Sequence, residues 1–153
     1  MTTQDGLSKR WADPAWATLL DELRRDRRPP PTTPRVEGRP DLRGARLQGA
    51  DLAGAELSGA DLSQADLSGA SLAEAKLQKA VLERADLSKA DLTRANLTGA
   101  KLGNARLEAA ALVAASLLKA DLAGARLERA TLDQAILEGA LLDGATFFEA
   151  RLV

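Results

Sequence analysis

The sequence predicts an all-β solenoid preceded by a short α-helix, and three observations lead to this fold class. The chain has 23 consecutive positions, five residues apart from Leu42 to Leu152, that hold leucine with the single exception of Phe147. Alanine stands two residues before each of these positions from Ala45 to Ala150. Four prolines between residues 29 and 34 separate this repeat from a stretch that has the apolar spacing of a helix.

A strict period of five fits neither an α-helix nor one long strand. In a helix, each step of five residues rotates the side chain by about 140°, so the leucines would spiral around the axis. In a strand, side chains alternate between two sides, so successive leucines would point in opposite directions. Both conflicts disappear if each pentapeptide forms one short face and a corner, with alanine and leucine inward and three positions outward. Repeated turning in one sense gives a solenoid, and the period alone leaves the number of faces per turn open.

A short helix is predicted at about residues 14–27. Asp13 can serve as its N-cap, and Pro14 suits the first helical position. Apolar side chains follow at the spacing i, i+3, i+4 and i+7, which places them in one stripe. The stripe consists of Trp16, Leu19, Leu20 and Leu23. Arginines surround Asp26 at the end of the helix, and this mixture of charges indicates a solvated helix end rather than a nucleic-acid or lipid site.

Three parts of the chain are predicted: an N-terminal segment at 1–28, a Pro-rich extended linker at 29–39, and the repeat at 40–153. A solenoid exposes its core at its ends and needs caps there. The apolar stripe of the predicted helix can cover the first inward leucines, Leu42, Leu47 and Leu52. It can equally dock on a partner, and the sequence leaves these two roles open.

The composition excludes several kinds of chemistry. The chain has no Cys and no His, so disulfides, thiolate or imidazole catalysis and metal sites with nitrogen or sulfur ligands are excluded. No metal, cofactor or catalytic residue is expected, because carboxylate pairs such as Asp61 and Asp66 lie on a convex rod without a cleft. The N-terminus lacks a secretory pattern and no apolar stretch is long enough to span a bilayer. A cytoplasmic protein that is not an enzyme and does not contact membranes is therefore expected.

Two runs carry a family resemblance, ADLSQADLSGA at 60–70 and ADLTRANLTGA at 90–100. They closely resemble the A-(D/N)-L-x-x motif of pentapeptide-repeat proteins, and the resemblance extends over residues 40–153. It implies a right-handed quadrilateral β-helix with four faces per coil, in which residues i and i+20 stack. The 113 residues from 41 to 153 then give five to six coils.

The main functional prediction is a non-catalytic interaction or scaffold module with a protein partner of unknown identity. The resemblance also implies an alternative, since some family members mimic B-DNA, bind type II topoisomerases such as gyrase and protect them from quinolones or peptide toxins. The acidic partner-binding candidates are then Asp61, Asp66, Asp86 and Asp91. A DNA mimic needs a continuous negative field, whereas residues 41–153 carry 16 acidic and 13 basic residues. With a net charge of −1 for the chain, direct nucleic-acid binding is not expected.

Apolar residues at outward positions accumulate towards the C-terminus, and a concentrated exposed apolar patch often marks an interface. The resemblance implies a homodimer, because family members commonly dimerise end to end through the C-terminal coil. The candidate interface residues are Ile136, Leu141, Phe147, Phe148 and Val153. The alternative is that Phe147 and Phe148 only plug the end of the rod.

Overall fold

The computed structural model describes residues 18, 21–23, 25–30, 33, 35–36 and 38–153. From residue 41 onward, the chain forms a β-helix that turns a corner every five residues. Parallel bridges join each residue that precedes an inward leucine to the residue twenty positions later, for example Asp61 to Val81. A stacking period of twenty and a repeat of five give four faces per coil, so the predicted stacking of i on i+20 is confirmed.

The bridged residues form four rows, one on each face. Face 1 carries Asp41, Asp61, Val81, Lys101, Asp121 and Leu141. Face 2 carries Arg46, Asp66, Asp86, Arg106, Arg126 and Thr146. Face 3 carries Asp51, Ser71, Asp91, Ala111, Thr131 and Arg151. Face 4 carries Glu56, Lys76, Asn96, Ser116 and Ile136.

Backbone hydrogen bonds hold each coil to both of its neighbours. The N–H group of Leu62 donates to the carbonyl of Val81 at 2.7 Å, and the N–H group of Asp61 donates back to Pro40 at 2.9 Å. Inside, the inward leucines from 42 to 132 and the alanines from 45 to 130 are at most 6% exposed. The Leu and Ala repeat therefore forms one continuous core, as the sequence predicts.

Each corner is a β-turn closed between a leucine and the next alanine, as in the 3.0 Å bond from the Ala65 N–H to the Leu62 carbonyl. The residue before the alanine has a positive φ at every corner from Gly44 to Glu149, between 55° and 70°. This sign pattern is that of a type II turn, which favours glycine at its third position. Thirteen of these 22 corner residues are not glycine, so the corner conformation is imposed by the coil rather than by the local sequence.

Two short elements precede the β-helix. Within the helix predicted at 14–27, residues 18, 21–23 and 25–26 are helical, while Trp16, Leu19 and Leu20 lie outside the described residues. The segment at 29–39, predicted to be an extended linker, instead ends in a hairpin. Strand β1 (Arg35–Val36) pairs antiparallel with β2 (Arg39–Pro40). Gly38, with φ of +77°, makes this tight turn possible, since glycine adopts positive φ without steric cost.

No helix in the part of the chain that the structure describes is both long and apolar enough to cross a membrane.

Candidate interaction surfaces

The outward positions of the β-helix offer shallow surfaces rather than an enclosed site. A hollow on face 1 has a volume of about 470 Å³ and is lined by charged and polar side chains that include Glu83, Arg84 and Asp121. Among the described residues, no group of three or more acidic side chains is arranged to hold a metal ion. Such surfaces suit contact with another macromolecule better than the exclusion of water from a small substrate.

The four acidic candidates are not brought together. Asp61 lies on face 1, Asp66 and Asp86 stack on face 2, and Asp91 lies on face 3. Face 1 continues with Val81 and Lys101 after Asp61, so its negative charge is interrupted within one coil. The stacked pair on face 2 is followed by Arg106, whose guanidinium lies 3.1 Å from the Asp86 carboxylate.

Hydrogen bonds give these carboxylates a local structural role. The Asp61 carboxylate accepts from the backbone N–H of Ser63 at 3.0 Å, and the Asp91 carboxylate accepts from Thr93 at 2.9 Å. The same bond to the residue two positions on is made by every Asp or Asn that precedes an inward leucine. The other members are Asp41, Asp51, Asp66, Asp86, Asn96 and Asp121. This Asx-type bond supports the start of the corner, which explains the residue type without a partner.

Asp66 has the densest set of contacts among the four acidic candidates. Partial burial by itself raises the pKa of Asp66. Hydrogen bonds from the Ser68 hydroxyl, the Ser68 N–H and the Gln48 amide lower the pKa by more than burial raises it, so the net pKa is below its usual value. The group is therefore charged at neutral pH. Most of its hydrogen-bonding capacity is already used inside the chain, which leaves little for a partner.

The N-terminal segment packs on the first coil, residues 40–59. Leu23 is fully buried in the same apolar cluster as the inward leucines. The Arg27 carbonyl accepts a hydrogen bond from the Glu56 N–H at 2.6 Å. In the later coils, the equivalent N–H group donates to a carbonyl of the preceding coil, so Arg27 supplies the acceptor that such a coil would supply. The Arg27 guanidinium contacts the Asp51 carboxylate, and this contact together with the Ala53 N–H lowers the pKa of Asp51. Of the four residues in the predicted stripe, Leu23 is the one within the described residues.

The predicted dimer residues lie around the perimeter of the C-terminal coil, residues 134–153. Ile136, Leu141, Phe148 and Val153 occupy four different faces, with exposures of 51%, 55%, 68% and 83%. Phe147 points inward and is partly buried against the core. These side chains therefore form a rim rather than one flat patch.

A contiguous apolar surface exists at the same coil, but it consists of inward residues. Leu142 and Leu152 occupy ladder positions and yet are 39% and 54% exposed, with Leu137 and Phe147 beside them. Among the described residues, no backbone N–H donates to the Ala140 carbonyl and no backbone carbonyl accepts from the Leu142 N–H. Sequence reasoning missed Leu137, Leu142 and Leu152, because their local sequence is that of the buried leucines and no signal in the repeat distinguishes them.

A comparison with models of protein families identifies the repeat. The family model for pentapeptide repeats matches residues 40–69, 65–104, 90–129 and 125–153. The comparison with curated proteins found no match.

Three of the solved structures that are similar to the chain illustrate the range of the matches. HetL, a pentapeptide-repeat protein involved in heterocyst differentiation regulation in the cyanobacterium Nostoc sp. strain PCC 7120, is 32% identical with a TM-score of 0.44; the match covers 71% of this chain and 64% of HetL. Rfr23 from the cyanobacterium Cyanothece 51142 is 25% identical with a TM-score of 0.45, covering 90% and 99%. QnrB1, a plasmid-mediated fluoroquinolone resistance protein, is 15% identical with a TM-score of 0.39, covering 74% and 79%.

Proposed function

Because the chain belongs to the pentapeptide-repeat family, we propose that it is a non-catalytic interaction module whose β-helix presents its outward side chains to a protein partner. The proposal rests on the observation that the inward positions hold only apolar side chains, which pack against one another. Inward positions are leucine, alanine or Phe147 from residue 42 onward, so the polar groups lie on flat outer surfaces. Function must then reside in what these surfaces contact.

The N-terminal segment acts in this proposal as the cap of the rod and also contributes to the partner-binding surface. Burial of Leu23 and the bond from Glu56 to Arg27 support the capping role. The exposed C-terminal coil is the proposed contact with a second copy of the chain. Its exposed Leu142 and Leu152 and the N–H and carbonyl groups beside them could be covered by the same coil of another molecule.

Site-specific photocrosslinking of the full-length protein in its host tests the interaction module. A photoreactive residue is placed at one exposed position on each surface: Arg28, Lys101 on face 1, Lys89 on face 2, Gln134 on face 3 and Lys79 on face 4. One or two of these positions are expected to give a saturable crosslink to the same polypeptide, while the others give none. Equal weak labelling from all five positions, or none from any, would contradict a specific protein-binding surface.

The alternative function, a DNA mimic that binds gyrase, receives less support because its carboxylates lie on three faces and are bonded within the chain. A supercoiling assay with and without a quinolone decides between the two. We expect neither inhibition nor drug protection from the wild-type protein. The mimic would replace our proposal if the wild type acted at low micromolar concentration and reversal of Asp61, Asp66, Asp86 and Asp91 to lysine removed the effect with unchanged circular dichroism.

A further inference from the structure

Positive charge is concentrated at the N-terminal end of the β-helix. Residues 24–46 contain eight arginines, no lysine and three acidic residues, a net charge of +5. The rest of the β-helix, residues 47–153, contains 11 basic and 15 acidic residues, a net charge of −4. Residues 1–23 contribute a further −2, so the chain has a net charge of −1 although the stretch at 24–46 is basic.

Most arginines elsewhere in the β-helix lie close to carboxylates of the chain. Of the six arginines after residue 46, five lie within 4.0 Å of a carboxylate oxygen. They are Arg94, Arg106, Arg126, Arg129 and Arg151. Four exposed arginines at the basic end, by contrast, have no carboxylate oxygen of a described residue within 4.0 Å. They are Arg28, Arg35, Arg39 and Arg46, which we call the arginine end.

The four side chains surround the same end of the rod. Arg46 is the first residue of the row on face 2, stacked on Asp66. Arg35 and Arg39 belong to the β1–β2 hairpin, which leads directly into face 1. Arg28 lines a hollow with Asp26, Arg27, Gly54 and Glu56, at the corner between faces 3 and 4. Because these exposed arginines lie on different faces, a partner segment contacts several of them when it wraps around this end of the rod.

We propose that the arginine end binds a carboxylate-rich segment of the protein partner, an inference that rests on the proposed function. The guanidinium group forms two parallel hydrogen bonds with a carboxylate. The chain itself does so where Arg43 donates to both oxygens of Asp41 at 2.8 and 3.0 Å. The four remaining arginines have the same chemistry and no internal acceptor of this kind.

The charge of the rest of the rod favours a short acidic segment over a long polyanion. Residues 47–153 carry net negative charge and would repel a nucleic acid that lay along the faces. An acidic segment of a protein needs to contact the end alone. Binding of nucleic acid or of anionic lipid at this end is therefore measured as an alternative to binding of an acidic peptide.

Fluorescence anisotropy of a labelled peptide of alternating glutamate and serine, titrated with the full-length protein at low ionic strength, tests the proposal. The test variant carries Arg28→Gln, Arg35→Gln, Arg39→Gln and Arg46→Gln. The control variant loses the same four charges from exposed cations without a carboxylate partner elsewhere, through Lys79→Gln, Arg84→Gln, Lys89→Gln and Lys101→Gln. We expect the arginine variant to bind at least about tenfold more weakly and the control to stay within about twofold of wild type.

Three results would overturn the inference: equal loss in both variants, no binding of the peptide by the wild type, or tighter binding of duplex DNA or phosphatidylserine vesicles that the arginine variant loses. The last result would assign the arginine end to phosphate groups instead. Melting curves that match wild type exclude misfolding as the cause. If the arginine variant still crosslinks to the same polypeptide as wild type, the interaction module stands and this inference about its chemistry fails.

Discussion

Each corner of the β-helix places one residue in the left-handed region, and two of these residues are alanine. Ala109 and Ala114 have φ of 57° and 55°, where a Cβ atom crowds the backbone. Unlike the arginine or glutamine corners, an alanine has no long side chain that could offset this cost by contacts along the rod. Strain at these two corners is therefore uncompensated.

Replacing Ala109 or Ala114 with glycine is expected to stabilise the protein by up to about 1 kcal/mol, because glycine relieves the strain at a modest entropic cost. The urea midpoint of unfolding measures the change. Ala110→Gly is the control, since Ala110 is inward and buried and its replacement should destabilise. The strain argument fails if the corner and the inward substitutions lower the midpoint alike.

Glycine corners also differ among themselves. A Cβ atom on Gly124 would lie 2.7 Å from the Asn104 side-chain oxygen, whereas one on Gly54 would have nothing within 4 Å. Both have nearly the same φ, 68° and 67°. Gly124→Ala should thus cost about 0.5–1 kcal/mol more than Gly54→Ala, since Asn104 must leave its preferred rotamer. Thermal unfolding measures the stability of both variants. The difference between them should vanish when Asn104 is also replaced by alanine, and a difference that remains would have another cause.

At the scale of the elements, the N-terminal segment and the first coil depend on each other. The inward Leu42 and Leu47 have no exposed surface although no coil precedes them, and Leu23 is buried with them. The helical segment ends at Arg27, with φ of 58°, and its carbonyl takes over a hydrogen bond of the first coil. The segment therefore supplies one apolar contact and one backbone acceptor of the kind that the proposed cap requires.

Leu23→Ala is expected to destabilise the protein by about 2–4 kcal/mol, because it leaves a cavity where the segment meets the core. Thr18→Ala, at an exposed helical position of the same segment, should change stability by less than about 0.5 kcal/mol. Urea unfolding compares the two variants. Equal midpoints would mean that the segment does not cap the rod.

At the scale of the whole molecule, the two ends of the rod differ. The first coil is covered, while inward residues of the C-terminal coil, Leu142 and Leu152, remain exposed. The charge also differs between the two ends, because the N-terminal end carries the arginine end and the rest of the rod has a net negative charge. In the proposed function, these unlike ends make two separate contacts, one with a partner and one with a second copy of the chain.

If the C-terminal coil is the contact between copies, Leu142→Glu and Leu152→Glu should each shift the protein from dimer to monomer, because a carboxylate cannot be buried there without a partner. Sedimentation velocity measures the mass. Lys119→Glu, an exposed change on face 4 one coil away, is expected to leave the dimer intact. A wild type that sediments as a monomer at all concentrations tested would refute the dimer.

Part of the candidate surface chemistry could be predicted from the sequence. The repeat identifies Asp61, Asp66, Asp86 and Asp91 as outward, and the stacking of i on i+20 that the family resemblance implies separates them onto different faces, as the structure confirms. Their hydrogen bonds to the corner are local and follow from the residue type. The hairpin at Arg35–Pro40 was missed because its signal, the single turn residue Gly38, lies among prolines that favour an extended chain.

The sequence by itself determined the solenoid and its core, because a leucine at every fifth position can be buried throughout only if the chain turns within every five residues. The tertiary structure alone decided the left-handed corners and which ladder leucines are exposed. Leu92 and Leu142 have the same place in the repeat, yet one has no exposed surface and the other is 39% exposed. Burial depends on whether another coil lies against the residue, and that is a property of distant residues rather than of the pentapeptide.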